Sequence, residues 1–475
     1  MTEIPYRHHV ETQFLAPGMP ERIHAAALRI LEEVGLAVSS QEARAQLEAM
    51  GWRTSGERVF VPSPDVELYL ERRRRRHAGE QRPASEADDG LLYLSPGMYA
   101  HHMHDLEQDR IVPYTCAALI EMTKFVDVLT ERRVYGSAPG YPLDVAPALQ
   151  PIAKYRIGAL YSRHGLAPVD PISAASLPYV IEMAEALGNT MDHLPVYVFS
   201  PLRLAGESLQ VVLRYRDRLK SVHVGSMPSL GGTCPVLPFG ALAMTVAEVI
   251  GGAAVLEAVT ELPVEFGVGL HAFDLRFGSM IFGSPESYLL GQISAEINEY
   301  YSPWRTRGRG NASAGIHVRA NFPGAQAAAE KASLMTAGAL AGARWFDGAG
   351  ILAVDEVFSA EQLLVDCDTR DMVQRLIGGV EMGEALYDWV DEVRRGVENS
   401  FMTLDSTLDE HRRMYWYPRL FERGFLAGHE EGRLRLAERA RDMVRTAIAQ
   451  HSYEPEAHVR RTVEAVWQRA CRELA

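Results

Sequence analysis

Lysine is almost missing from this chain. Lys124, Lys154, Lys220 and Lys331 are its only four, so nearly every cation is an arginine, which we attribute to genomic base composition and not to function. Positive charge is also outweighed as a whole, with a net charge of −14 and a pI of about 5.6. Such a chain repels phosphate, which excludes non-specific nucleic-acid binding. Cysteine is sparse as well. Cys116, Cys234, Cys367 and Cys471 are far apart and form no CxxC pair, which argues for a reducing compartment and against a structural zinc knuckle. The N-terminus MTEIPYRHHVETQF has no apolar run, so no signal peptide is expected there. One long apolar stretch exists, Phe239 to Leu256, but it carries Glu248 and a Gly251–Gly252 pair and lacks basic flanks. A helix apolar on nearly every side belongs in a core or between subunits. The expectation is a cytoplasmic protein with no membrane segment.

The composition, 47% apolar and 23% charged over 475 residues, is that of an ordinary soluble enzyme with room for one large domain and a smaller one. Residues 1–90 read as a helical module and linker: MPERIHAAALRILEEVGLAV has helical spacing, and Ser40 is an N-cap for the next helix. The run Arg72 to Arg76 reads as a solvated helix end. From about residue 91 to 380, short apolar strands alternate with helical patterns. RVYGSA (133–138), PVYVFSP (195–201), SVHVGSM (221–227), PVEFGVG (263–269) and ARWFDGAG (343–350) are the expected strands. Repeated strand–helix units imply parallel strands. With no GxGxxG opening a first helix and no Walker motif, a (β/α)8 TIM barrel is expected over a doubly wound sheet. Residues 381–475 read as a C-terminal helical extension packed on the barrel or on a neighbouring subunit.

Barrel chemistry sits in loops after the strand C-termini. Such loops contribute His271, Asp274, Arg276, Arg307, Asp347 and His223 to one mouth. His271, Asp274 and Asp347 are the candidates for acid–base work. FDGAG puts an acid at a strand end beside residues that let a ligand approach the backbone. The HHMH cluster (His101, His102, His104) supplies two ligands at best and has no carboxylate partner, so no metal is expected. Cys234 lacks a cation to lower its pKa and is expected to be a spectator thiol. GSPES (283–287) is a helix start capped by Ser284. RGRG (307–310) occurs once, inside an ordered series, and reads as a mouth loop, not a nucleic-acid tail.

ILEEVGLAV, FGSPE (282–286), QAAAEK (326–331), DGAGIL (347–352) and MYWYPRLFERG (414–424) come in that order, and together they resemble the trimethylamine methyltransferase family, in particular its non-pyrrolysine branch that includes glycine betaine methyltransferases. The resemblance implies a (β/α)8 barrel. It also implies methyl transfer from a methylated amine to the Co(I) corrinoid of a separate carrier protein, with no tightly bound cofactor, and a homo-oligomer is expected from the apolar helices. A quaternary ammonium needs orientation and a cation pocket more than an acid–base pair. Phe266, Phe273, Trp304 and Trp345 are candidates for aromatic faces, His223 for the mouth, and Arg307 for a fork onto a betaine carboxylate. Departures from the family pattern fall at Asn321 and Gly324, where a Lys and an Asp are expected, and at Ser406, where a His is expected. No candidate pyrrolysine position is present, which points away from trimethylamine itself. Two alternatives stay open: a diverged barrel enzyme of another class, such as a lyase or hydrolase, and a non-catalytic binder of a small cationic ligand.

Overall fold

Alternation is the local rule that builds the sheet. In a computed structural model describing residues 13–79, 90–164, 173–304, 312–380, 382–383, 386–424 and 435–474, the strand His193–Phe199 buries Leu194, Val196 and Val198 and leaves its other residues more open. Val222 and Val224 of the strand Ser221–Ser226 do the same. These valines face the helix Pro238–Thr260, where Gly252 leaves room for Val198 and Val224. The opposite, concave face carries Tyr197, Phe199 and His223.

Two curled arcs of parallel strands result. In the first, Val264–Phe266, Ser221–Ser226 and His193–Phe199 run parallel, and the sheet continues through Arg203–Leu204 to Leu36–Val38, Arg58–Phe60 and Arg53–Ser55. In the second, Ala312–Gly315, Ala343–Ala349 and Tyr93–Pro96 run parallel, extended by a parallel bridge from Leu94 to Val134. Two of these strands, Tyr93–Pro96 and Ala312–Gly315, were not among those expected from sequence, and the expected strand 133–138 is reduced to its bridge. Among the described residues no ladder joins the two arcs.

The N-terminal helix Met19–Glu33 buries Ile23, Ala27 and Leu31 in the same core as the long apolar helix. Leu31 comes so close that a Cβ on Gly251 would stand 2.4 Å from it, so the Gly251–Gly252 pair serves helix packing. The helix Pro238–Thr260 is long and apolar enough to cross a membrane, yet it is buried along nearly its whole length. At the other end of the chain, Val459, Val463 and Val466 of Ala457–Leu474 enter this core beside the helices Gln150–Tyr161 and Leu177–Ala186.

Four arginines of the run are exposed, as expected of a solvated helix end, and Arg73 alone departs from that expectation. Arg73 is buried, donates to Glu265 (2.8 Å), the Tyr301 carbonyl (2.9 Å) and Ser302 Oγ (2.7 Å), and lies over the rings of Phe266 and Trp304. Arg72 and Arg76 pair with Glu257. The run thus clamps the N-terminal helix Ser63–Arg76 to the strand Val264–Phe266 and the end of the helix Pro285–Tyr301. Removing one partner of a buried pair strands the other, so Arg73→Ala is expected to cost about 3–5 kcal/mol, read as a lower chemical-denaturation midpoint. Arg75→Ala, which breaks only an exposed pair with Glu71, is expected to stay within about 0.5 kcal/mol of the wild type.

Candidate active site

Strand geometry puts Trp345 and Asp347 on one face, since residues two apart point the same way. Phe346, between them, points outward to Gly338 of the helix Ala325–Leu340. On the inner face Trp345 stacks on Tyr93 with centroids 4.6 Å apart, and Tyr135 closes on both at 5.6 and 5.7 Å. Asp347, opposite Ser95 and Gly315 in register, remains half exposed. An aromatic group with a half-exposed carboxylate two residues along the same strand face suits a cation.

The group that holds Asp347 is His317, which follows the strand Ala312–Gly315. Its Nε2 donates to Asp347 Oδ2 at 3.0 Å and its Nδ1 to Asp355 Oδ1 at 2.5 Å. Carboxylates only accept, so both ring nitrogens carry protons and the ring is an imidazolium. Burial opposes that charge, but the bonds and charges of Asp347 and Asp355 outweigh it and hold the pKa up to about 10. Two glycines make the space: a Cβ on Gly315 would lie 2.9 Å, and one on Gly348 3.0 Å, from the imidazole.

Asp355 reaches His317 from an unusual turn. Ala353, Val354 and Asp355 all have positive φ (52°, 55° and 71°). Each left-handed non-glycine residue costs about 1 kcal/mol or more, so the surroundings must impose the turn. Ala353 N donates to the Ala320 carbonyl and Val354 N to that of Val318, which locks it. Behind the strand, fully buried Lys331 donates to Asp366 (3.0 Å) and to the Gly348 carbonyl (2.8 Å). Asp366 in turn accepts from Gly350 N at 2.7 Å and from the Gln362 amide. Burial lowers the Lys331 pKa, opposed by Asp366.

His271 completes the group. Its ring lies edge-on to Phe282 at 5.7 Å, and Phe282 lies 5.7 Å from His317. Burial, then the charge on His317, pushes the His271 pKa down to about 4, so this ring is neutral. The structure therefore brings together His271, Asp347 and Trp345 from the sequence candidates and adds His317, Asp355, Phe282, Tyr93 and Tyr135. No spacing motif marks the additions. Phe282, Lys331 and Asp347 do lie in the FGSPE, QAAAEK and DGAGIL segments.

Other candidates fall elsewhere. Asp274 sits at the turn of the hairpin Ala272–Asp274/Ser279–Ile281, where its bond to Arg276 holds its carboxyl down at about 2; it is a turn residue. Phe273 packs over Gly232 at the rim. Phe266 is buried outward against Tyr69, Tyr301 and Arg73, because Glu265, not Phe266, takes the inner face. Trp304 stacks on His77 at 4.7 Å, at the opposite end of the strands from Asp347. The reason is direction: a helix returns the chain to the face where the next strand begins. Arg307 lies outside the described residues. His223 is on the concave face of the first arc, across from Gly267. Cys234 is held protonated, its pKa pushed up to about 11 by burial and Glu248. His104 is bonded to Asp109, and among the described residues no cluster of metal-ligating groups forms. Gly324 caps the helix Ala325–Leu340, Asn321 is exposed, and Ser406 bonds Glu392, so none of these three departures meets Asp347.

Parallel strands joined by helices, with a polar group gathered at one set of strand ends, define this chain as an α/β protein. Residues 2–466 match the trimethylamine methyltransferase family, and the chain belongs to that family. With no pyrrolysine in its sequence, it falls in the branch that lacks this residue. It is 31% identical to trimethylamine methyltransferase MttB1 of Methanosarcina acetivorans over 281 residues, 57% of this chain and 54% of that one. The chain thus spans about half the length of that relative. It is 23% identical to a glycine betaine methyltransferase of Desulfitobacterium hafniense over 430 residues, 86% of each chain. The crystal structure of the Methanosarcina barkeri monomethylamine methyltransferase superposes with a TM-score of 0.47 at 10% identity, covering 98% of this chain and 88% of that one.

The charge on His317 has a pH signature. A histidine whose pKa is raised in the folded state adds stability that is full below its unfolded value, about 6.5, and lost as pH rises toward the folded value. Stability is therefore expected to fall between pH 6.5 and about 10, by at most about 1.4 kcal/mol per pH unit, in the wild type but not in His317→Gln. Denaturation curves across that window test it.

Proposed function

We propose that this chain moves a methyl group from a quaternary ammonium compound to the Co(I) corrinoid of a separate carrier protein. The observation that carries the reading is the Tyr93–Tyr135–Trp345 group beside half-exposed Asp347. In this reading the two arcs close into a (β/α)8 barrel around that face, and the chain works as a cytoplasmic homo-oligomer. The aromatic faces hold the cation at about 0.5–2 kcal/mol each, and Asp347 is its counter-ion. Nothing need donate a proton: the carbon–nitrogen pair stays on nitrogen, which leaves as a neutral amine. The corrinoid supplies the nucleophile that accepts the methyl group. The loops around the site fit an acceptor brought from outside, since Leu237, Leu275 and Phe277 are all more than 70% exposed there. Exposed Val390, Val393 and Val397 on one side of the helix Trp389–Glu398 support self-association.

A lyase or hydrolase reading is less well supported. Both nitrogens of His317 are taken by carboxylates, and neutral His271 has no carboxylate partner among the described hydrogen bonds. Calorimetry with glycine betaine, choline and tetramethylammonium is the test. At least one is expected to bind, with Trp345→Ala weakening it roughly 5- to 30-fold. Binding of none of them overturns the reading.

A further inference from the structure

Asp355 does not face the aromatic group, yet it is held in a costly backbone conformation and reaches one atom, His317 Nδ1. A turn of consecutive left-handed non-glycine residues persists only where its surroundings impose it, and here the carbonyls of Val318 and Ala320, in the segment just after His317, do so. His317 is thereby gripped from both sides, and its other nitrogen points at the carboxylate that opens to the inner face. Resting on the function proposed above, we propose that Asp355 is a positioning residue: through His317 it keeps Asp347 aimed at the cationic head of the substrate and leaves the three-residue group with its net negative charge.

Charge accounts for the arrangement. Asp347, His317 and Asp355 together carry one net negative charge, which attracts a cation. Without Asp355 the remaining pair is neutral while His317 is protonated. Among the described residues, the other titratable groups near His317 are neutral His271 and, on the helix Ala325–Leu340, Lys331, whose charge acts on Asp355 from behind the strand, with Glu330 beside it. None of these replaces the lost carboxylate, since Lys331 is committed to Asp366 and Glu330 to the Arg319 backbone.

The test is calorimetric titration of the full chain with tetramethylammonium chloride and with glycine betaine from pH 6 to pH 9. The wild type is expected to bind with a flat pH profile. Asp355→Asn is expected to bind about tenfold more weakly at pH 6 and to regain affinity as pH rises, because an imidazolium that has lost one carboxylate partner gives up its proton at lower pH and restores the net negative charge. A purely structural role would weaken binding equally at every pH. Asp355→Glu keeps the charge while moving it, and is expected to bind a few-fold more weakly with the flat profile retained; this variant carries the test if Asp355→Asn does not fold. Asp355→Asn or Asp355→Glu with wild-type affinity and profile overturns this inference alone. A wild type that binds neither probe overturns the functional reading and this inference with it.

Discussion

Everything at the candidate site depends on one buried ion pair. Lys331 and Asp366 are both fully excluded from solvent, and between them they bind the Gly348 carbonyl and the Gly350 amide. Two buried charges are costly and give little net stability, so such a pair is better explained by what it positions. Here it pins the backbone on either side of Ala349, the point at which the strand ends and the chain turns toward Asp355. That anchor sets the direction of Asp347 on one side and the reach of the left-handed turn on the other. Replacing the pair by apolar residues would keep the packing and lose the two backbone contacts.

The same anchor explains why distant segments of the sequence belong together. Phe282 comes from FGSPE, Lys331 and Glu330 from QAAAEK, and Asp347 and Gly348 from DGAGIL, and all meet around His317. Glu330 accepts from Arg319 N, two residues beyond His317, and fills the space that a side chain on Gly283 would need. The remaining two segments serve packing elsewhere. ILEEVGLAV seats Leu31 against Gly251, and MYWYPRLFERG donates the amides of Leu420 and Phe421 to Asp368. Family resemblance in this chain is therefore partly a site and partly the scaffold that carries it.

Much of the fold was legible in the sequence because its causes are local. The 3.6- and 2-residue periods of apolar residues marked the long helices and the strands near 195, 221 and 343, and Ser40 and Ser284 cap their helices as expected. The weaker strands Tyr93–Pro96 and Ala312–Gly315 were not legible, since they are short and lie in glycine-, serine- and tyrosine-rich text. Trp304 was misplaced for a different reason. Its loop follows a helix, and chain direction alone carries such a loop to the end of the strands away from Asp347.

The sequence by itself determined the alternation of strands and helices, the burial of the apolar helix Pro238–Thr260, and the presence of Trp345 and Asp347 on one strand, with Asp347 toward its end. Only the tertiary structure decided which polar residues act together. His317 sits in GIHVR, an unremarkable extended stretch, and its partners are 30 and 38 residues away in sequence. Parallel pairing of Ala312–Gly315 with Ala343–Ala349 sets that distance in space. Because a parallel ladder brings together residues separated by a whole helical crossover, no local pattern records the contact.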